Sequence, residues 1–231
     1  MKNIFNYLIG LVLIGLLILP ANNAFSGNKD RSGQAGAPEL LINPFARGTG
    51  WGSVNTANAE GLEAIFSNVA GLSFTNKTEV HFANTQWLKG SGVSLNAFGL
   101  AQRLGESSVL GISIQSMSFG ELNVTTTAQP GGTGATFSPN LLTIGLSFSK
   151  AFSNSIYAGM TIKVISESIP DASAMGIALD AGVTYITGKD ENVKFGVAIK
   201  NLGPKMKFTG DGFSIKALLG DGDYSVTMSQ R

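Results

Sequence analysis

Four charged side chains fall on the polar faces of neighbouring strand-like segments, and their types are suited to ion pairing. They are Lys163, Glu167, Asp180 and Lys200. Opposite charges gathered on one face can line a polar passage or hold a covering segment in place through charge-assisted hydrogen bonds. The simpler interpretation, which we favour, is a set of compensating charges that binds no ligand.

The sequence offers no recognisable set of residues for catalysis. It has no carboxylate pair with supporting residues, no nucleophile elbow and no phosphate-cradling loop beside a helix. With no Cys and only one His, His81, neither thiolate nor imidazole metal sites are expected. Gly48, Gly50 and Gly52 alternate as in a dinucleotide-binding loop, but no βαβ pattern surrounds them. We predict that the protein is not an enzyme and needs no cofactor or metal.

Residues 1–26 are typical of a cleaved export signal. Lys2 supplies a positive start, residues 8–19 are apolar apart from two glycines, and Pro20 with the small residues after it suits cleavage. A transmembrane anchor needs roughly 20 apolar residues, so this stretch is too short for one. Residues 27–36 are polar and small, which predicts a flexible mature N-terminus.

Composition indicates a membrane protein built from strands. Lys2 is the only charged residue of the leader, so the mature chain carries equal numbers of basic and acidic side chains, and we expect no nucleic-acid partner. Only 13% of residues are charged and 30 of 231 are glycine, which is unusual for a soluble domain. A lipid-facing band in place of a charged surface would explain both values.

Residues 37–75 differ from the rest of the chain and predict a separate segment with a short helix. Leu62, Ile65 and Phe66 share one helical face. A motif follows directly and would set the angle at which this segment joins the first strand. The simpler interpretation of its glycine is a helix C-cap with positive φ. The motif residues are Asn68, Ala70, Gly71 and Leu72.

Strict alternation of apolar with small or polar residues then persists for about 130 residues. It predicts seven strands near residues 79–87, 93–102, 110–115, 142–149, 156–167, 176–185 and 195–200. In the second strand it assigns Val93, Leu95, Ala97, Gly99 and Ala101 to the apolar face. A soluble sandwich alternates in the same way. We favour an antiparallel transmembrane β-barrel over residues 76–231, because the segments approach 9 to 11 residues and the non-apolar face is mostly Gly, Ser, Thr and Ala.

Connection lengths also favour the barrel, since the predicted short turns alternate with predicted long loops over 120–139, 169–173 and beyond residue 202. Trp51, Trp87 and Tyr185 are candidate interfacial anchors. Single-chain bacterial barrels have even strand numbers from 8 upward. Seven visible strands therefore predict a chain that lacks its later strands.

Three blocks of this sequence resemble the PorV/PorQ family of FadL-like porins. They are residues 37–72, with the stretch Asn68-Val69-Ala70-Gly71-Leu72 close to the Asn-Pro-Ala-Gly-Leu signature of that family, and residues 176–183 and 196–204. Val69 stands at the proline position of the signature. The resemblance implies a barrel of about fourteen strands in the bacterial outer membrane, with residues 37–75 as a plug in the lumen.

The resemblance leaves two functional hypotheses open. In the first, the protein is a component of a type IX secretion system, embedded in outer-membrane lipid, that binds the translocon or cargo proteins through its long loops. In the second, it is a FadL-like transporter of hydrophobic small molecules. A transporter should have an apolar pocket between plug and wall, whereas the predicted lumen face is small and polar, so we favour the first hypothesis.

Overall fold

A computed structural model describes residues 37–210, 214–219 and 222–227. The predicted signal peptide and flexible N-terminus lie outside the described residues. Long antiparallel strands make up most of the fold, and together they confirm the predicted all-β class and each of the seven predicted strands. These strands are β1 Thr78–Gln86, β2 Ser94–Leu104, β3 Ser108–Ser118, β6 Asn140–Ala151, β7 Ile156–Ile169, β8 Ala172–Thr187 and β9 Val193–Leu202.

The long strands form a single sheet in which chain neighbours pair, in the order β1-β2-β3-β6-β7-β8, and β9 continues the sheet from β8. A short strand β10, Phe208–Thr209, also pairs with β8. Two further ladders have two strands each: β4 Leu122–Asn123 with β5 Thr136–Phe137, and β11 Ser214–Leu219 with β12 Gly222–Thr227. Within the described residues the sheet remains open, with β1 at one edge and β9 and β10 at the other.

Residues 37–75, called the N-terminal segment below, form short helices that lie on one face of the sheet. The elements are three 3-10 helices, Pro38–Leu41, Gly61–Phe66 and Val69–Phe74, and a one-turn α-helix α1, Ala46–Gly50. Of the helices described, none has the length and apolar character needed to cross a membrane. The predicted helix face is confirmed, because Leu62 and Ile65 are buried and Phe66 packs against them.

Burial across the sheet is the reverse of what a soluble sheet shows. Along β6, Ile144, Leu146 and Phe148 are exposed, while Ser147 and Ser149 are fully buried. The same alternation continues through β3, β7 and β8. The buried polar face is the one that the N-terminal segment covers. We call this side the inner face and the exposed apolar side the outer face.

Two expectations about the strands are wrong. The predicted long connection over residues 169–173 is a tight turn in which only Pro170 and Asp171 separate β7 from β8. In β2 the face that was predicted to be the apolar, outward one is the buried one, because Leu95, Ala97 and Ala101 point inward. Ala101 faces inward because it packs with Leu62 and Ile65 of the N-terminal segment, which need an apolar counterpart at this point of the sheet.

Candidate functional site: the interface of the N-terminal segment with the sheet

Glycines on the inner face provide the space in which the N-terminal segment lies. A β-carbon at Gly99 would lie 2.6 Å from the Leu62 side chain, and one at Gly111 would lie 3.0 Å from Ile65. The first distance is shorter than real β-carbons show, and the second would require the Ile65 side chain to shift. Five strands carry such glycines facing the segment. They are Gly99, Gly111, Gly159, Gly182 and Gly196.

Asn68 is the most extensively bonded polar side chain of this interface, and it is 1% exposed. Its Nδ2 donates to the Thr56 carbonyl at 2.8 Å, to the Val183 carbonyl at 3.1 Å and to Thr184 Oγ1 at 3.2 Å. Its Oδ1 accepts from the Ala70 N–H at 3.1 Å, which caps the Val69–Phe74 helix. One amide therefore joins two parts of the segment to β8.

The other motif residues lie in the same contact, and the structure corrects the expectation for one of them. The predicted C-cap role of Gly71 is wrong, because Gly71 lies inside the Val69–Phe74 helix and is not among the glycines with positive φ. It is needed for space, since a β-carbon there would overlap the Ala59 carbonyl. Leu72 is fully buried beside Leu62 and Ile65.

Ser149 of β6 fixes the middle of the Val69–Phe74 helix to the sheet. Its Oγ lies 3.0 Å from the Ala70 carbonyl, 3.1 Å from the Ala158 carbonyl and 2.5 Å from Ser73 Oγ. Both serines are buried. The Ser149 hydroxyl on the inner face thus attaches the segment to the sheet, whereas Ser147 and Thr161 bond to each other within the sheet.

Two of the four predicted charged residues form an ion pair within the sheet. Lys163 Nζ lies 2.5 Å from Asp180 Oδ2, and both side chains are under 10% exposed. Lys163 also donates to Asn201 Oδ1 at 2.9 Å, and the Asn201 N–H donates to Asp180 Oδ1 at 2.7 Å. Asn201 has φ 58° beside a register shift between β8 and β9, so the pair is fastened to an irregular strand end.

The other two charged residues face the N-terminal segment. Lys200 Nζ donates to the Phe66 carbonyl at 2.7 Å, at the last residue of the Gly61–Phe66 helix. This bond is favourable because a cation near a helix C-terminus complements its free carbonyls. Glu167 instead lies near Glu39, and burial, together with the negative charge of Glu167, raises the pKa of Glu39 above its ordinary value.

Three bonds that the sequence reasoning missed hold the ends of the helices. Arg103 Nε donates to the Thr75 carbonyl and its Nη2 to the Ser73 carbonyl, both at 2.8 Å. Glu79 Oε2 accepts from the Leu62 N–H at 2.8 Å. No local pattern identifies these partners, because the donors and acceptors are 17 to 30 residues apart.

The candidate aromatic anchors occupy different environments. Tyr185 lies on the outer face near the end of β8 and stacks on Phe195, with ring centroids 6.4 Å apart. Trp87 follows the end of β1. Trp51 is the C-cap residue of α1 in the N-terminal segment and is 63% exposed. His81 packs edge-on against Phe45 at 5.8 Å.

Among the described residues, no group of three or more His, Asp or Glu side chains is arranged to hold a metal ion. The fold and this interface define a class: an antiparallel all-β protein whose polar face is covered by its own N-terminal segment. Comparison with models of known protein families and with curated proteins gave no match to this sequence.

Proposed function

We propose that this chain belongs to an outer-membrane β-barrel whose polar interior is filled by its own N-terminal segment. We further propose that it acts by binding protein partners in a secretion system, and not by conducting small molecules. The type IX system is the one that the sequence resemblance implies, through the segment around Asn68-Val69-Ala70-Gly71-Leu72 and the strand sequences of β8 and β9.

The observation that carries the proposal is the reversed polarity of the sheet. Large apolar side chains such as Leu146, Ile162 and Ile177 are more than half exposed, whereas Ser147 and Thr161 are fully buried. Water would penalise such a continuous apolar face, but hydrocarbon would not. A soluble sandwich would bury this face against a second sheet. The other described ladders are short, with strands of two to six residues.

Binding is favoured over transport because the interior contact is already occupied. Three apolar residues of the N-terminal segment that could line a transport pocket are used in packing, since Ile65 is 2% exposed, Phe45 5% and Leu40 9%, whereas Leu41 is 71% exposed. Leu40 lies in a cluster with Ile165 and Ala178 of the sheet. A lumen held in this way suits a fixed plug, which supports a function in the exposed loops.

Residues 119–139 form the loop that is best suited to contact a protein partner. Its β4–β5 ladder is extended by the Val124 N–H donating to the Ala135 carbonyl and the Thr133 N–H donating to the Val124 carbonyl, both at 2.8 Å. The arm is therefore ordered although its side chains are mostly exposed. It contains one charged residue, Glu121. An ordered, exposed and nearly neutral arm is well suited to hold a protein partner.

Affinity isolation from native outer membranes tests the proposal. The tagged full-length protein and a matched variant, in which residues 124–135 are replaced by Asn-Gly to close β4 onto β5, would be extracted in mild detergent and compared by quantitative mass spectrometry. We expect the unmodified protein to recover a large outer-membrane translocon or surface proteins that share a C-terminal domain. We expect the shortened arm to lose them while the protein remains in the membrane.

Two outcomes would contradict the proposal. Recovery of the protein without partners but with a bound hydrophobic small molecule would favour the transporter. Recovery in the soluble periplasmic fraction would contradict the membrane location itself.

A further inference from the structure

We propose that the outer face of β1, β2 and β3 is the docking surface for a separate membrane-embedded polypeptide. The surface is centred on Phe82 and Phe98 and bordered by the polar pair Asn84 and Asn96. This inference rests on the proposed function and deepens it, because it names where on the wall a partner binds.

The apolar band on the outer face is tall at one side of the sheet. β8 presents six apolar side chains in sequence at every second position, which are Met175, Ile177, Leu179, Ala181, Val183 and Tyr185. Ten residues of strand span about 33 Å. With a tilt of roughly 40°, that length covers a band about 25 Å tall, the height that a lipid-facing barrel wall requires.

The band becomes shorter from β8 towards β1. β6 has four apolar outer residues between Asn140 and Lys150, and β3 has three between Ser108 and Ser116. On β1 only Val80 and Phe82 remain, two residues apart, so the band there is about 7 Å long. A flank of this height is too short to match the hydrocarbon layer on its own.

Hydrogen-bonded polar pairs replace the missing apolar residues. Asn84 Nδ2 donates to Asn96 Oδ1 at 2.6 Å, and Thr78 Oγ1 donates to Gln102 Oε1 at 2.6 Å on the opposite side of the Phe pair. The Asn84 Oδ1 acceptor and the Asn96 Nδ2 donor take no part in the first bond. Lipid tails cannot bond these groups, whereas the amides and hydroxyls of a polypeptide can.

The composition of the patch matches a protein interface. Phe82 and Phe98 are directly opposed and are 71% and 41% exposed. The apolar group continues into Val80 and Leu100, and an uncharged hydrogen-bonded polar pair lies at each end of it along β1 and β2. None of the described outer-face positions of β1, β2 and β3 is charged. Aromatic centres with polar rims and few charges are typical of protein–protein contacts. The partner should therefore present apolar side chains to the Phe pair and uncharged hydrogen-bonding groups to the amides.

Site-specific photo-cross-linking in native membranes tests the inference. A benzophenone amino acid would replace Phe82 in the full-length protein, and Ile177 would be the matched control. Both lie in one row across the sheet, through the pairings of Phe98, Ile114, Ile144 and Val164. We expect a discrete adduct with another protein at position 82, and lipid adducts only at position 177.

A second variant tests whether the Asn84 and Asn96 pair is needed for docking when the protein still lies in the membrane. Asn84→Leu with Asn96→Leu extends the apolar band by one row, so we expect the protein adduct at position 82 to fall roughly tenfold while the protein stays in the membrane. Lipid adducts alone at position 82 would overturn the inference and indicate a thinned bilayer. An adduct of twice the chain's mass would also overturn it, by identifying a second copy. Loss of the protein from the carbonate-resistant membrane fraction would overturn the proposed function as well.

Discussion

Asn68 Oδ1 occupies the space that a β-carbon at residue 182 would take, so the N-terminal segment fits the sheet only because β8 carries glycine there. The two residues are far apart in sequence but lie in contact. Gly182 leaves the space, and the Asn68 side chain occupies it and donates hydrogen bonds to Thr56, Val183 and Thr184. The position of the segment is thus set by specific contacts as well as by apolar burial.

Gly182→Ala should weaken the contact between Asn68 and β8 without changing the strand. The added methyl group would force the Asn68 side chain away from its acceptors, and overpacking of this kind typically costs about 1–3 kcal/mol. Chemical unfolding and limited proteolysis of residues 37–75 would measure the effect. The control is Gly131→Ala, because nothing lies within 4 Å of a β-carbon there. Equal stability of Gly182→Ala and Gly131→Ala would contradict the role assigned to the contact between Gly182 and Asn68.

Asn68→Asp tests the donors separately from the shape. The carboxylate can still accept from the Ala70 N–H, but it cannot donate to the Thr56 and Val183 carbonyls, which would lose a bond in a buried setting. We expect a loss of about 1–3 kcal/mol for each bond that is not replaced by water. Asn123→Asp, on the exposed β4 strand, is the matched change. A denaturation midpoint shifted no further than in this control would contradict the role assigned to Asn68.

A disulfide should form between cysteines placed at residues 73 and 149. The natural side chains approach to 2.5 Å between their Oγ atoms, and the sequence has no other Cys to compete. Ser73→Cys with Lys150→Cys is the control, because residue 150 points to the outer face. We expect a mobility shift under non-reducing electrophoresis for the first pair only. Shifts in both pairs, or in neither, would mean that the segment does not rest on this face.

Glu39 should make the stability of the segment depend on pH. Burial raises the pKa of Glu39 from 4.5, and the nearby carboxylate of Glu167 raises it further, while a backbone hydrogen bond opposes the shift. A raised folded-state pKa favours the protonated form, so this contribution is complete below about pH 4.5 and is lost as the pH rises through the folded value.

Glu39→Gln should remove this dependence, because the amide stays neutral. Thermal unfolding between pH 4 and 8 would show wild-type stability falling relative to the variant as the pH rises. Glu121→Gln, in the exposed arm, controls for a general charge effect. A difference between wild type and Glu39→Gln that is constant across this range would exclude the contribution.

The strands were predictable because their signal is local. Alternation over 9 to 16 residues fixes a strand and its two faces, and the face assigned as polar in β6 to β9 is the inner one. The predicted face of β2 was wrong because Leu95 and Ala101 face inward, and Ala101 packs against Leu62 and Ile65, which are distant in sequence. Short-range patterns cannot show which of two mixed faces meets a distant partner.

The sequence indicated several residues of the interface but not the hydrogen bonds that they make. Asn68 and Gly71 were singled out by motif, and Lys163 and Asp180 by their shared face, yet Gly71 supplies space where a C-cap was expected. The partners of Arg103 and Glu79 depend on how the helices lie across the sheet, which no spacing encodes. Connection lengths were misread at Pro170 because strands β7 and β8 extend further into the expected loop than the alternation suggested.

Lipid exposure of adjacent residues on β7 is the most direct test of the central claim that the apolar face meets the membrane. A fluorophore on a single cysteine at Ile162 or at Thr161 would be measured in vesicles containing lipids with brominated acyl chains. The account predicts strong quenching at residue 162, which is 55% exposed, and little at residue 161, which is fully buried on the inner face. Equal quenching at both residues, or none at residue 162, would contradict it.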